Sequence, residues 1–399
     1  MKRTLMAAAV AGALAAPGLA VAQSSVVIYG RANLGIDNYR ATGATSPTGN
    51  VNGRMRVYDS GSRLGFRINE ELGGGLRAFA VIETGINMDT GNTLGQSGSV
   101  NPNTAGWASR DSYVGVGGGW GDVRFGRQSI WWANGVIAQA GANYINVDAA
   151  ILTILTGQVI LPAARTSNTV SYNSPTMGGF NTSISYSPGG TEGAAYTGTG
   201  QTKDSIWGIT GRYTTGALRA QIDWARRKNA NPALTSPQEN TGLKFGAGWS
   251  YAPGSQISAV MSRMENRNIA AVAAAQQNVA AGDSPKVRVT LLNWEHMLGQ
   301  WQLIGQYAWT GKVSGLAAGG DNTRIKAYTL AAKYHLSKRT GVYASLSQIR
   351  NEARAIGDWG AGGQSSASLN GGPFALGSLT SASAGADPRI IAVGIMHNF

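Results

Sequence analysis

From Ile391 to the end of the chain the larger side chains recur at every second position: Ile391, Val393, Ile395, His397 and Phe399. Between them stand Ala392, Gly394, Met396 and Asn398. A two-residue period is the signature of a strand, with one face for hydrocarbon or core and the other for something roomier. The last residue is aromatic and no polar tail follows. An apolar terminus normally frays, so a strand ending on Phe399 is expected to be tied into a sheet or recognised by another protein.

The same rhythm returns in fifteen earlier stretches. They are Val26 to Asp37, Arg54 to Asn69, Leu76 to Met88, Ser109 to Gly117, Asp122 to Arg127, Arg165 to Asn173, Phe180 to Tyr186 and Asp204 to Tyr213. The others are Ala217 to Arg227, Thr241 to Tyr251, Gln256 to Met264, Val287 to Met297, Trp301 to Thr310, Arg324 to Leu336 and Gly341 to Arg350. With the last strand, taken from Ile390, that makes an even number of strands. Their connections alternate between short and long. Glu70 to Gly75, Tyr251 to Ser255 and Leu298 to Gln300 are tight, whereas Ala41 to Gly53, Asp89 to Trp107, Asn266 to Lys286 and Asn351 to Arg389 are long and mostly polar. Tight turns on one side and long loops on the other predict an all-β, 16-stranded antiparallel transmembrane β-barrel of up-and-down topology, read as one domain over 23–399. Closure of the last strand on the first would leave no open edge.

Composition supports this reading and excludes others. The chain has 57 Gly, 11 Trp and 14 Tyr but only 13% charged residues, with mean hydropathy −0.12. A helical membrane protein would be far more apolar, and a disordered chain would not carry so many aromatics. In a barrel in lipid, outward apolar and inward polar residues nearly cancel. Lys2 and Arg3, an apolar run from Leu5 to Ala16 and the site Ala20-Val21-Ala22 read as a signal peptide over 1–22, cleaved after Ala22. There is no cysteine, so an exported fold must rest on hydrogen bonding and burial. The formal charge of +13 raises nucleic acid as a partner; export and the scattered placement of the arginines argue against it.

Several stretches together resemble the trimeric, anion-preferring porins of betaproteobacterial outer membranes. They are Gly61-Ser-Arg-Leu-Gly-Phe-Arg67 with Glu70 to Leu76, Arg110-Asp-Ser-Tyr-Val-Gly115, and Gly121-Asp-Val-Arg-Phe-Gly-Arg127. Ser171 to Pro175 with Gly178 to Phe180, Leu336 to Thr340 and Val393 to Phe399 complete the set. The resemblance implies short periplasmic turns, long extracellular loops and a third loop (128–164) folded inward. It implies a homotrimer in outer-membrane lipid and lipopolysaccharide, and Phe399 as the insertion signal read by the barrel-assembly machinery. The function it implies is passive diffusion of small anionic or neutral solutes. A channel specific for organic acids, or a barrel whose surface loops act as adhesin or receptor, is the alternative.

Residue by residue, Arg63 and Arg67 alternate with Leu64, Phe66 and Ile68 and should face the lumen. Arg165 shares the face of Ser167, Thr169 and Ser171. The resemblance places pore arginines at Arg63, Arg110 and Arg165, although simple alternation puts Arg110 with Val114 and Val116 unless a bulge intervenes. Three arginines ~7 Å from a permeating anion would give an anion preference near tenfold at 0.15 M salt, on the order of 0.6 kcal/mol each before screening. The apolar run Ala149 to Leu161 is expected to pack on the inner wall, or to offer solutes a greasy patch. No catalytic site is expected, because His296, His335 and His397 sit near strand ends without partners in a catalytic pattern. Gly115 to Gly119 lacks the Lys-Ser/Thr of a phosphate loop and is read as a turn. No cofactor or metal is expected, loop acids such as Asp89 being the place where calcium could be met. Tyr29, Trp120, Trp207, Trp249, Tyr251, Trp301 and Tyr334 are read as interfacial belts.

Overall fold

The computed structural model describes residues 25–89, 91–93, 107–130, 165–188, 203–230, 238–268, 282–355, 357 and 384–399. The expected signal peptide and nearly all of the expected inward loop, with its apolar run, lie outside them.

Sixteen antiparallel strands close on themselves. They are β1 Ser25–Thr42, β2 (two runs, Val51–Asp59 and Arg63–Gly73), β3 Leu76–Asn87, β4 Ser112–Gly118, β5 Gly121–Ser129, β6 Arg165–Asn173, β7 Phe180–Ser187 and β8 Lys203–Thr215. The second half is β9 Leu218–Ala230, β10 Gln238–Ala252, β11 Ser255–Arg267, β12 Lys286–Leu298, β13 Trp301–Thr310, β14 Ile325–His335, β15 Thr340–Asn351 and β16 Asp387–Asn398. Each strand pairs with its sequence neighbour, and β1 pairs with β16 from Arg31↔Asn398 to Thr42↔Asp387. Phe399 completes the seam: its N–H donates to Gly30 O at 3.2 Å, and Gly30 N–H donates to Phe399 O at 3.0 Å. The terminal strand is therefore tied into the sheet to its last residue.

The sequence boundaries shift where side-chain hydrogen bonds or inward apolar residues decide. Tyr39 and Ala41 are buried on the inner face and carry β1 on to Thr42, so the first long loop shrinks to 43–50. The second strand, expected to run unbroken, is interrupted at Ser60-Gly61-Ser62, where Gly61 takes φ 70°. Asn33 of β1 fills the break: its N–H donates to Ser62 Oγ at 2.9 Å and its Nδ2 to Ser60 O at 3.0 Å. The fourth strand starts at Ser112 rather than Ser109, the fifth keeps Gln128 and Ser129, and the last begins at Asp387. At the β2–β3 turn Gly73, Gly74 and Gly75 all have positive φ (85°, 61°, 75°), a geometry that L side chains resist.

Burial runs opposite to that of a soluble protein. The exposed face carries Val26, Ile28, Ile36, Val57, Ile82, Val114, Phe125, Val170, Ile184, Ile209, Ile222, Phe245, Met261, Leu292 and Leu330. This is the apolar band that hydrocarbon requires, because a charge at mid-bilayer on that face costs about 2–4 kcal/mol. Aromatic pairs cap it near the tight turns: Trp120 on Tyr172, Phe180 on Tyr213, Trp249 on Tyr251 and Trp301 on Tyr334. The buried, inward face is mainly Ser, Thr, Asn and Gln, with an apolar set (Val260, Met264, Val287, Val289, Leu291, Ile325, Ile349, Ile390) toward the long-loop ends. Four inward aromatic rings lie across glycines directly opposite them: Tyr58 on Gly35, Tyr29 on Gly65, Phe79 on Gly115 and Tyr343 on Gly394. A Cβ at any of these glycines would collide with the ring.

Candidate functional site

The inner wall from β1 to β6 holds a cluster of guanidinium groups around two acids. Arg63 of β2 lies opposite Gly85, and Glu83 of β3 opposite Gly65, so both project inward beside Tyr29. Arg63 Nε stands 3.7 Å from Glu83 Oε2, and the Tyr29 hydroxyl donates to the same oxygen at 3.0 Å. Arg110 Nε pairs with Glu83 Oε1. One carboxylate thus serves two guanidinium groups.

Arg110 escapes the alternation because it precedes β4. Ala108 has φ 64°, and the segment behind it is strapped to β3: Arg110 N–H donates to Glu83 O at 3.0 Å and Gly85 N–H to Ser109 Oγ at 3.0 Å. Arg127 holds the segment from the other side, its Nε donating to Ser109 O at 3.0 Å and its Nη1 to Ser167 Oγ at 2.8 Å. The β5–β6 register shifts between Gly126 and Gln128, with Asn168 at φ 54°. Arg165, at the start of β6, turns its Nε to Asp111 Oδ1 at 2.9 Å, and Ser129 Oγ donates to the same oxygen at 2.8 Å.

The structure therefore brings Arg63, Arg110 and Arg165 together, with Arg165 in the field of both Arg110 and Glu83. Arg67 stands on the same wall but lays its guanidinium over the Tyr29 ring, 4.1 Å from the centroid. Tyr29 is thus a correction: it belongs to this cluster and not to an interfacial belt. Glu83 and Arg127 are members that sequence reasoning missed. Glu83 shares its strand face with Phe79 and Val81, while Ala80 and Ile82 occupy the other face, so both faces look apolar and alternation says nothing.

The charges sum simply. Arg63, Arg110, Arg127 and Arg165 face Glu83 and Asp111, a local excess of two positive charges. Around them the wall is polar and water-compatible, and Arg124 is paired with Asp122 at 2.7 Å.

The histidines stand on separate strands. His296 Nδ1 lies 3.1 Å from the Tyr251 hydroxyl, His335 Nε2 3.2 Å from Gln302 Oε1 and His397 Nδ1 2.9 Å from Thr340 Oγ1. Among the described residues, Asp89 included, no three His, Asp or Glu side chains group as a metal site would require. The turn read at Gly115 to Gly119 is a correction: Gly115 to Gly118 pair with β5 as part of β4, and the turn is confined to Gly119 and Trp120.

Comparison with known proteins converges on one family. The Gram-negative porin model matches residues 7–354. An outer membrane porin protein of Bordetella pertussis is 27% identical over 393 residues, spanning 88% of this chain and 95% of the relative. Outer membrane porin protein 32 of Delftia acidovorans is 26% identical, covering 88% and 90% respectively. In solved structures, an anion-selective porin from Comamonas acidovorans superposes with TM-score 0.67 at 22% identity, over 94% of this chain and all of that one. The trimer form of OmpT of Vibrio cholerae gives TM-score 0.60 at 12% identity, over 94% and 99%. A barrel greasy outside and polar within, matched to one family model over most of its length, leads to one conclusion: this chain belongs to the Gram-negative porin family and spans the outer membrane as a β-barrel.

Proposed function

We propose that the barrel is a diffusion channel for small hydrophilic solutes with a preference for anions, and that Arg63, Arg110 and Arg165, with Arg127 beside them, are its filter, Arg67 standing outside it over the Tyr29 ring. The observation that carries this reading is the sharing of Glu83 by Arg63 and Arg110, which leaves the cluster positive after its acids are counted. Two net charges ~7 Å from a permeating ion contribute about 1.2 kcal/mol in water dielectric, cut to about 0.5 kcal/mol by screening at 0.15 M salt. An anion is enriched about twofold and a cation depleted as much, a preference near fivefold rather than the tenfold of three unpaired arginines. The anion-selective porin of Comamonas acidovorans supports the same direction. Reversal potential in a salt gradient across a planar bilayer tests it: anion preference is expected, and cation preference would overturn the assignment.

The partners follow from the same architecture. A homotrimer is supported by the trimer form of OmpT. Lipopolysaccharide is supported by a basic rim on the outer face at the long-loop ends, where like charges stand directly opposite: Arg40 and Arg389, Arg263 and Arg288, Lys326 and Arg350. Arg350 already has Asp387 at 2.7 Å and Arg263 has Glu265 at 4.0 Å, so the repulsion that an outside anion would relieve is greatest between Arg40 and Arg389. Phe399 serves as the insertion signal. Deleting it should lower the amount of folded trimer in the outer membrane by more than the loss of one ring contact explains, about 1.5–3 kcal/mol. Unchanged trimer levels would remove that role.

A further inference from the structure

We infer that Lys333 and Arg31 form a second anion site on the inner wall, a seat for a small oxyanion (carboxylate or phosphate) between the arginine cluster and the periplasmic mouth. The inference rests on the channel reading but on different residues. Lys333 lies near the tight-turn end of β14, on the inward face with Thr329 and Ile325. Its stem crosses Gly341 of β15, where a Cβ would come within 2.7 Å of Lys333 Cε, so the ammonium is carried along the wall toward β16 and β1. The residue is 8% exposed.

A buried ammonium without a counter-charge is unfavourable and calls for an explanation. Among the described residues Lys333 belongs to no ion pair, and none of its three donors is in a hydrogen bond with protein. Neither strand paired with β14 carries an acid, and Glu295 on β12, two strands away, is turned to amides: Gln256 Nε2 donates to it at 2.9 Å, Asn293 Nδ2 at 3.1 Å and Gln302 Nε2 at 3.1 Å. Along that path stands another cation, Arg31: Gly341 pairs with Met396, and Asn398, two residues further on the same inward face of β16, pairs with Arg31. Arg31 is held in place by its Nε–H bond to Asn398 Oδ1 at 2.8 Å and stands directly opposite Arg63 in the β1–β2 pairing.

The placement explains both features. Two cations from different strands share this stretch of the inner wall, and an ion with two or more oxygens can accept from the ammonium and the guanidinium at once. Arg63 and Arg31 being cross-strand neighbours, an anion leaving the Glu83 cluster meets Arg31 and then Lys333 without crossing an uncharged gap. The runner-up reading of the channel, transport of organic acids, would gain its substrate chemistry from this seat.

The test is phosphate block of chloride current through purified channels in planar bilayers, with wild type, K333Q, K333R and R31Q compared. Phosphate should reduce wild-type current saturably. K333Q should need about fivefold more phosphate for half block, the worth of one contact charge at ~4 Å in water dielectric. R31Q should shift in the same direction and K333R should restore the wild-type value, while K333Q keeps the anion preference in sodium chloride and its channel steps. Equal half-blocking phosphate in K333Q and wild type, or block without saturation in wild type, would overturn the site. Cation preference of the wild type in sodium chloride together with Lys333-dependent block would remove the arginine filter and leave this site standing.

Discussion

Two ion-pair sites face each other across the barrel and behave oppositely. On β2–β3 one carboxylate, Glu83, serves Arg63 and Arg110, and all three side chains are 12–20% exposed to lumen water. Seven strands away, on β9–β10, Asp223 meets Lys244 at 3.3 Å with side chains 1% and 2% exposed. Asp223 also accepts from Thr210 Oγ1 at 2.7 Å and Gln221 Nε2 at 2.8 Å. The first site leaves charge over and shows it to passing ions. The second is one-to-one, saturated and dry, so it fixes the wall and projects little field. The number of charged residues does not decide a pore's preference; stoichiometry and exposure do.

The largest expected effect breaks the dry pair. Asp223→Ala leaves the Lys244 ammonium without its acid and should cost about 3–5 kcal/mol, read as a fall in the denaturant midpoint of the folded barrel in detergent. Asp223→Ala combined with Lys244→Met should recover most of it. A wild-type midpoint for the single variant would mean that the pair is not sealed.

The next effect is on the wet site. Replacing Arg63, Arg110 and Arg165 by Gln leaves Glu83 and Asp111 against Arg127, one net negative charge. Preference should pass through unity to about twofold for cations. Persistent anion preference in that triple variant would place the filter elsewhere, with Lys333 and Arg31 the first residues to try. Molar salt should act almost as strongly on the unmodified channel: with a Debye length of ~3 Å its preference should fall below about twofold. A preference that survives molar salt would indicate direct binding and not a screened field.

The smallest effect sharpens the comparison most. Glu83→Gln releases both guanidinium groups from their shared acid and should raise anion preference from about fivefold to about twelvefold. A decrease would show that Glu83 matters more for positioning the arginines than for offsetting their charge.

The barrel was legible in the sequence because lipid enforces alternation on one face over most of each strand, as at Ile391, Val393 and Ile395. Strand ends were less legible. Hydrogen bonds donated by Asn33 and accepted by Ser109 decide where β2 breaks and where β4 starts, and a residue pattern does not reveal such partners. The candidate site was half visible. Arg63 and Arg67 followed from alternation, but Arg110 sits outside its strand and Glu83 lies in a stretch apolar on both faces. Tyr29 misled because tyrosines at strand ends usually mark the lipid interface, and what draws this one inward is Gly65 directly opposite it.

Those glycine-backed rings also keep the wall thin. A ring lying flat adds about 3.5 Å to the wall, one contact distance, where an upright one would stand out across the opening. Through Tyr29 the aperture and the charge are coupled, since the ring that Gly65 lets lie flat is also the donor that holds Glu83 and the surface on which Arg67 rests. A methyl group added at Gly65 would act first as a change of cross-section and then as a change of ion preference, so a sieve and a filter share one backbone position.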